Sequence, residues 1–258
     1  MRSFVALLVL FSVSLACGED WIPPENPDPQ TILNEARNDR SAGRFDDALA
    51  KHAWFHENAL SITPAMYGVR LSFALSDWHR LAKLHEPAMD KLEETREAAR
   101  ERVLSEENPH PPFHDFVAIN RELGEESRSV EFFLLLDDQH PLIAKQVIDL
   151  ARPALISQKN YAMYAKYVDV DQDLERILRL YRLHKRLVND GRQQARLMDF
   201  ANKKLTNDAA TLVAILVIEE RLDDALKVLN TAKKERDDPE FHEALEKAIQ
   251  GEMPKPWP

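Results

Sequence analysis

The amino-acid sequence predicts an all-α protein, an α-solenoid of antiparallel helix hairpins, and three observations lead to this prediction. From Asp28 onward, apolar residues recur every three or four positions, as on one face of a helix, and alternating strand patterns are absent. Glycine, which hairpin-rich β folds use often, accounts for only 6 of 258 residues. Two similar segments, GRFDDALAKH from Gly43 and ERLDDALKVL from Glu220, indicate a helical unit that recurs along the chain.

Residues 1–16 are predicted to be a signal peptide. Arg2 supplies a positive charge, the run Phe4–Val13 is apolar, and small residues precede a cleavage point before Cys17. The apolar run is too short for a stable transmembrane anchor. The segment also resembles the bacterial lipobox at Ala16, Cys17 and Gly18, but it departs from that pattern at the two positions before Ala16. We therefore expect Cys17 to be lipidated.

A lipidated Cys17 implies a protein anchored to a membrane of the bacterial cell envelope. The alternative is an ordinary signal peptide, which would leave a periplasmic or secreted protein with an incidental thiol at Cys17. Four prolines within residues 17–29 predict an extended linker or stalk. Residues 30–250 then form the helical repeat domain, and the proline-rich residues 251–258 are predicted to be a disordered tail.

A repeat register runs between the two similar segments. Each position equivalent to Phe45 is expected to open the second helix of a hairpin, and the equivalents are Trp78, Glu126, Tyr161, Arg192 and Leu222. Three positions further, half of the residues are alanine, which fits helices that cross closely. These residues are Ala48, Leu81, Ser129, Tyr164, Ala195 and Ala225.

These segments resemble the tetratricopeptide repeat family over most of residues 30–250. In the first unit Gly43 takes the turn between helices and Ala36 takes the small position of the first helix. In the third, Gly124 takes the turn and Pro141 the repeat-ending proline; in the last, Glu220 replaces the turn glycine. The family's tryptophan in the first helix is missing throughout, and the other units are degenerate. The resemblance implies a right-handed superhelix, and an unclassified α-solenoid or helical bundle is the alternative.

Two stretches depart from a regular repeat. The long step between the second and third units places an insertion within residues 91–112, which is either an over-long second helix or a binding loop. The run LVAILVI (212–218) is apolar on all sides and too short to cross a membrane, so it predicts the most buried helix.

Two segments of the sequence carry side chains that could bind a metal ion. His52 and His56 have a spacing that can hold a metal on one helix face, but Ala53 replaces the glutamate that a zinc protease needs. The segment DVDQDLE (169–175) has the alternating acids of a calcium loop, but Leu174 and Leu180 occupy the glycine and glutamate positions. These acids are expected to cap a helix. Four further histidines follow in the next unit and its insertion: His79, His85, His110 and His114.

The sequence predicts neither an enzyme nor a cofactor. Glycine-rich nucleotide loops and the G-x-S-x-G nucleophile motif are absent. The 44 acidic residues exceed the 34 basic ones, and a net charge of −10 disfavours nucleic acid as a partner. The same charge balance disfavours charge-driven docking on an anionic lipid surface.

The expected function is an exported scaffold that binds a protein or peptide. The resemblance implies that the first helices of the hairpins line a concave groove for the partner, and Tyr67, Arg70 and Asn120 are the candidate binding residues. One alternative is a structural envelope lipoprotein without such a groove. The other is a metal-binding protein, or a metal-dependent enzyme, that uses the histidines of the N-terminal half.

Overall fold

The computed structural model describes residues 21–187 and 192–255. The predicted signal peptide, the lipidation site Cys17 and residues 256–258 lie outside the described residues. All regular secondary structure within the described ranges is helical, which confirms the all-α prediction. The same ranges contain no helix that combines the length and the hydropathy needed to cross a bilayer.

The chain forms two compact units, Met1–Arg96 and Glu97–Pro258. In the first unit, α1 begins after Asp28, whose Oδ2 accepts a hydrogen bond from the Thr31 backbone N–H at 2.9 Å. A short 3-10 turn over Pro64–Met66 follows α2. The helices of this unit are α1 (Pro29–Ser41), α2 (Phe45–Ile62), α3 (Tyr67–Arg70) and α4 (Phe73–Ala82), and α5 (Glu86–Ser105) contains the boundary between the units.

The second unit continues from the end of α5. Only residues 106–109 separate α5 from α6, so the predicted insertion is mostly an over-long helix of 20 residues and not a binding loop. The remaining helices are α6 (His110–Leu123), α7 (Glu126–Gln139), α8 (Pro141–Ser157), α9 (Tyr161–Lys166), α10 (Val170–Leu187), α11 (Arg192–Ile218), α12 (Leu222–Glu235) and α13 (Pro239–Ala248).

One turn geometry recurs between the helices of four hairpins. Gly43, Gly124, Lys159 and Glu220 have positive φ angles of 77°, 72°, 55° and 59°. At each turn the N–H of the following residue donates to the carbonyl five positions earlier, at 2.7–2.9 Å. A left-handed residue with this bond is the Schellman ending of a helix. The pairs α1/α2, α6/α7, α8/α9 and α11/α12 therefore turn in the same way, although only two of the four use glycine.

The structure places the register residues relative to these turns. Phe45, Tyr161 and Leu222 are the first residues of α2, α9 and α12, each two positions after the left-handed residue. The positions three residues further are buried, and Ala48 and Ala225 are 0% exposed. Pro141 is the first residue of α8, immediately after α7 ends.

Arg192 does not follow this register, because it begins α11, the first helix of the α11/α12 pair, and Ala195 three positions further is exposed. Trp78 does not follow the register either, which corrects its assignment as the opening residue of a second helix. It is the sixth residue of α4, is 2% exposed, and its Nε1 donates to the carbonyl of Ala88 at 3.0 Å. The turn of this hairpin falls later, between Ala82 and Glu86, and has no left-handed residue. The aromatic residue 33 positions after Phe45 therefore does not mark the turn of this hairpin.

The apolar residues of each unit form a core. In the first unit Leu33, Phe55, Ala59 and Ala74 pack together. In the second unit the five residues 212–216 of α11 are each 0% exposed, in agreement with the prediction of the most buried helix. Part of the predicted tail also contacts this unit, because Met253 packs on its core and Asn207 Nδ2 donates to the Lys255 carbonyl at 3.0 Å.

Trp21 of the predicted N-terminal linker packs against α2. The Trp21 ring meets the Trp54 ring edge-on with centroids 6.2 Å apart, and Lys51 Nζ lies 5.6 Å from the Trp21 ring centroid. A cation near an aromatic face adds to such a contact. Trp21 therefore gives the linker a defined contact with the first hairpin.

Candidate functional site

A groove between α1 and α4 is lined by three basic side chains, two from α1 and one from α4. It has a volume of about 350 Å³. The contributing residues of α4 are spaced at i, i+3, i+4 and i+7, so they share one face of that helix. The lining consists of Arg37 and Arg40 from α1 and of Phe73, Ser76, Asp77 and Arg80 from α4; we call it the α1–α4 groove.

Asp77 organises the charges of the α1–α4 groove. It is 6% exposed and accepts Arg37 Nε at 2.6 Å and Arg80 Nη1 at 3.1 Å. Arg37 Nη1 also donates to Asn34 Oδ1 at 2.9 Å. Because one carboxylate holds two guanidinium groups in place, less side-chain entropy remains to be lost when a ligand binds.

The α1–α4 groove is basic and partly apolar at its rim. Three arginines face a single carboxylate, which leaves an excess of two positive charges in a chain whose net charge is −10. Arg40 forms no ion pair with any described residue. Phe73 is 68% exposed and adds an aromatic surface. This combination can bind a carboxylate through guanidinium N–H groups and an apolar side chain through the Phe73 ring.

A buried histidine pair on α2 packs against Trp78 of α4. The His52 ring stacks on the Trp78 ring at 6.2 Å with an interplanar angle of 14°, and the His56 ring meets it edge-on at 6.0 Å. Burial lowers the pKa of His52 to about 4, with the charge of Asp77 opposing that shift. His52 is therefore neutral at neutral pH and forms part of the packing between α2 and α4.

His56 is held by an arginine, which argues against the metal alternative. Arg70 Nη2 lies 3.0 Å from His56 Nε2, and Arg70 Nε donates to the His56 carbonyl at 2.6 Å. A guanidinium at the ring nitrogen competes with a metal cation for the same atom. Across residues 21–187 and 192–255, no group of three or more His, Cys, Asp or Glu side chains is arranged to hold a metal.

Two of the three predicted partner-binding residues are buried, and their assignment is corrected. Arg70 is 7% exposed and binds His56, while Asn120 is 0% exposed and donates from Nδ2 to Ser129 Oγ at 3.0 Å. Both side chains connect neighbouring helices and cannot reach a partner. Tyr67, which is 36% exposed on α3, is the only one of the three with a substantial accessible surface.

Asp39 occupies in the first hairpin the position that Asn120 occupies in the third. Each lies four residues before the left-handed glycine of its turn. Asp39 is 5% exposed and accepts hydrogen bonds from Lys51 and Arg44. Burial alone would raise the pKa of Asp39, but the hydrogen bonds from the two cations outweigh burial and lower it. A polar residue at this turn position therefore joins the two helices of a hairpin.

The acidic segment 169–175 caps a helix, as the sequence predicted, and it also binds basic side chains. Asp169 Oδ1 accepts the Gln172 backbone N–H at 3.0 Å, immediately before α10. Asp173 accepts Arg152 Nη1 at 2.6 Å and Nη2 at 3.0 Å. These contacts use the carboxylates that a calcium site would need.

A second cavity, of about 880 Å³, lies beside these acids between α8 and α10. Five basic and five acidic side chains line it, and several of them pair with one another, as Arg152 does with Asp173. The balance of charge gives it no preference for a charged ligand. The α1–α4 groove, with its excess of positive charge, is the better candidate for a binding site.

Among the described residues, neither site combines a nucleophile, a general base and an oxyanion donor. Comparisons of the chain with protein-family models, with curated proteins and with solved structures give no match.

The signal that could have located the α1–α4 groove in the sequence is the pair of arginines three residues apart on α1. Arginines at helical spacing occur along much of this chain, so this pair alone does not distinguish the groove from other parts of the surface.

Proposed function

We propose that this protein is an exported, lipid-anchored scaffold of tetratricopeptide-like helix hairpins, which binds an acidic segment of a partner protein in the α1–α4 groove. The observation that carries the proposal is the groove itself. Three arginines and an exposed phenylalanine converge there from two helices of successive hairpins. The shared Schellman turns support the repeat architecture. The position of Cys17 at the end of the predicted signal peptide supports the anchor.

The charge of the α1–α4 groove defines the partner. Asp77 holds both Arg37 and Arg80, but the Arg80 side chain is 61% exposed and that of Arg37 only 35%. Arg40 pairs with no described carboxylate, so we expect partner carboxylates to bind near Arg40 and Arg80. Charge-assisted hydrogen bonds of this kind contribute about 1.5–3 kcal/mol each. An apolar side chain next to the acidic residues would cover Phe73, which is otherwise 68% exposed. The expected ligand is an extended peptide that contains Asp or Glu together with Leu or Phe.

A peptide library tests this proposal. The library fixes one apolar residue among acidic or basic residues, and binding to the purified chain is measured by fluorescence anisotropy. We expect acidic members to bind, basic members not to bind, and binding to weaken as salt increases. The double variant Arg40→Glu/Arg80→Glu should weaken binding at least tenfold, because it reverses two charges at the groove.

The matched control is Lys83→Glu, which reverses an exposed charge on the same unit outside the α1–α4 groove. This control should bind as tightly as the wild type. Phe73→Ser should weaken binding of the apolar-containing peptides without changing their preference for acidic residues. If acidic peptides do not bind, or if the double variant binds as tightly as Lys83→Glu, the proposed groove function is wrong.

The anchor is tested separately by intact mass of the natively expressed protein. We expect a mature chain that begins at Cys17 and carries acyl chains, and we expect Cys17→Ser to abolish the added mass. An unmodified mature chain would overturn lipid anchoring and would favour a periplasmic or secreted scaffold. This outcome leaves the test of the α1–α4 groove unaffected.

A further inference from the structure

The outer side of α10 carries two parallel rows of side chains. Leu180, Leu183 and Leu187 are spaced at i, i+3 and i+7, so they form one stripe, and they are 36%, 47% and 61% exposed. One position earlier, a row of arginines has the same spacing: Arg179, Arg182 and Arg186. We call these six residues the α10 outer face.

Packing among the described residues does not account for the leucine stripe. The other side of α10 supplies the apolar contacts of the core through Leu174, Ile177, Leu178 and Tyr181, all of them buried. A helix that packs on one side normally exposes polar residues on the other. Three exposed leucines in one stripe therefore indicate a second apolar contact that is made outside this chain.

The charge around the stripe is concentrated and of one sign. Residues 176–187 contain five Arg or Lys and no Asp or Glu, in a chain of net charge −10. Arg182 is neutralised by Glu235, whose Oε2 accepts its Nε at 2.9 Å and its Nη2 at 2.6 Å. Arg179 and Arg186 form no ion pair with any described residue. Arg186 therefore lacks a counter-charge among the described residues, whereas Arg179 also lines the cavity between α8 and α10, where five acidic side chains are present.

We propose that the α10 outer face docks on an anionic lipid bilayer. The leucines would enter the boundary between headgroups and acyl chains, and the arginines would extend to the lipid phosphates. Each basic residue near an anionic membrane surface adds to the attraction. The net charge of −10 is an average over the whole chain. Residues 176–187 of α10 are locally basic, so the net charge does not rule out docking of this helix on an anionic surface.

Two features favour a bilayer over a protein on this face. The leucine stripe lies on the convex surface of a single helix. A protein partner would need a groove that matches this surface, whereas a lipid bilayer would not. A second copy of this chain would bring two arginine rows together, and like charges would repel. The proposal does not depend on the α1–α4 groove. If Cys17 is acylated, the α10 outer face would add to the membrane affinity that the acyl chains supply.

The test uses mature chain that carries Cys17→Ser, verified by mass to start after residue 16, so that acyl chains cannot contribute. Co-sedimentation is measured with vesicles of phosphatidylcholine containing phosphatidylglycerol and with vesicles of phosphatidylcholine alone. We expect at least tenfold stronger binding to the anionic vesicles, and weaker binding as salt increases. Leu183→Asp/Leu187→Asp and Arg179→Glu/Arg186→Glu should each reduce that binding at least tenfold.

The matched control is Leu84→Asp/Leu142→Asp, which places two aspartates at leucines that are 62% and 79% exposed, one in the turn between α4 and α5 and one on α8. It should bind anionic vesicles to within about twofold of the wild type. Circular dichroism confirms that each variant remains folded, since all substituted side chains are exposed. The proposal is overturned if the wild type binds both vesicle types equally, or if the control loses as much binding as the α10 variants. It is also overturned if vesicles do not bind and an acidic amphipathic peptide binds instead through the same leucines.

Discussion

Stability of the first unit should fall below pH 6.5 because of His52. Its side chain is 2% exposed, and its Nε2 has no hydrogen-bond partner within the described residues. Burial lowers its pKa from 6.5 to about 4, although the charge of Asp77 opposes that shift and Arg40 and Arg37 add to it. Between these two pH values the unfolded chain binds a proton at His52 and the folded chain does not. Stability is therefore lost as the pH falls through this window.

The size of the loss follows from the difference between the two pKa values. A difference of about 2.5 units, at about 1.36 kcal/mol per unit, corresponds to about 3 kcal/mol when the pH reaches 4 or below. Most of that change, about 2.5 kcal/mol, is present at pH 4.5. Such a loss is a large part of the total stability of an ordinary domain.

Urea unfolding followed by tryptophan fluorescence measures this loss in the first unit, which contains Trp21, Trp54 and Trp78. His52→Phe keeps an aromatic ring against Trp78 and removes the titrating group. Between pH 7 and 4.5 the wild type should lose about 2.5 kcal/mol more than His52→Phe. Equal losses in the wild type and His52→Phe, to within about 0.5 kcal/mol, would refute the argument that burial keeps His52 neutral.

Three further substitutions test the ion pairs and the turns, each by urea unfolding. Asp173→Asn should cost about 1–3 kcal/mol, because the buried Arg152 guanidinium loses its bidentate partner and keeps only Asp149, whose Oδ1 lies 3.0 Å from Arg152 Nη1. The double variant Arg152→Met/Asp173→Leu should cost less than the single one, and a single variant as stable as the double would contradict this. Gly43→Ala should cost about 1 kcal/mol from its φ of 77° alone, since a Cβ there meets no atom within 4 Å. Glu220→Gly should instead stabilise by about 0.5–1 kcal/mol because its φ is 59°; a loss of stability there would count against the shared turn.

Local patterns predicted the helices and most of their turns. Proline and glycine act on the residues next to them, so Pro141 and Gly124 mark helix boundaries in the sequence as they do in the structure. The run 212–218 identified the buried part of α11 because burial on every side requires apolar residues on every side. Lys159 was not recognised as a turn residue, since a lysine with positive φ has no signature in the sequence.

The candidate site depended on tertiary contacts and was predicted less well. Arg70 and Asn120 were expected to face a partner, but each binds a side chain or carbonyl of a neighbouring helix and is buried. Arg37 and Arg80 are 43 positions apart in the sequence, and they share a site only because Asp77 accepts hydrogen bonds from both. No local pattern identifies which of many charged residues meet across two helices.

The sequence by itself determined the all-α class, the main helix boundaries and the apolar faces, because these depend on backbone propensities and on periodicity over a few residues. Only the tertiary structure decided which polar residues are buried and which charges remain without a counter-charge. His52 became neutral, Asp77 gathered two arginines, and the leucines of α10 stayed exposed through the packing of helices that lie far apart in the chain. The free energy of a charged group depends on its desolvation and on its neighbours in space, and the sequence does not specify those neighbours locally.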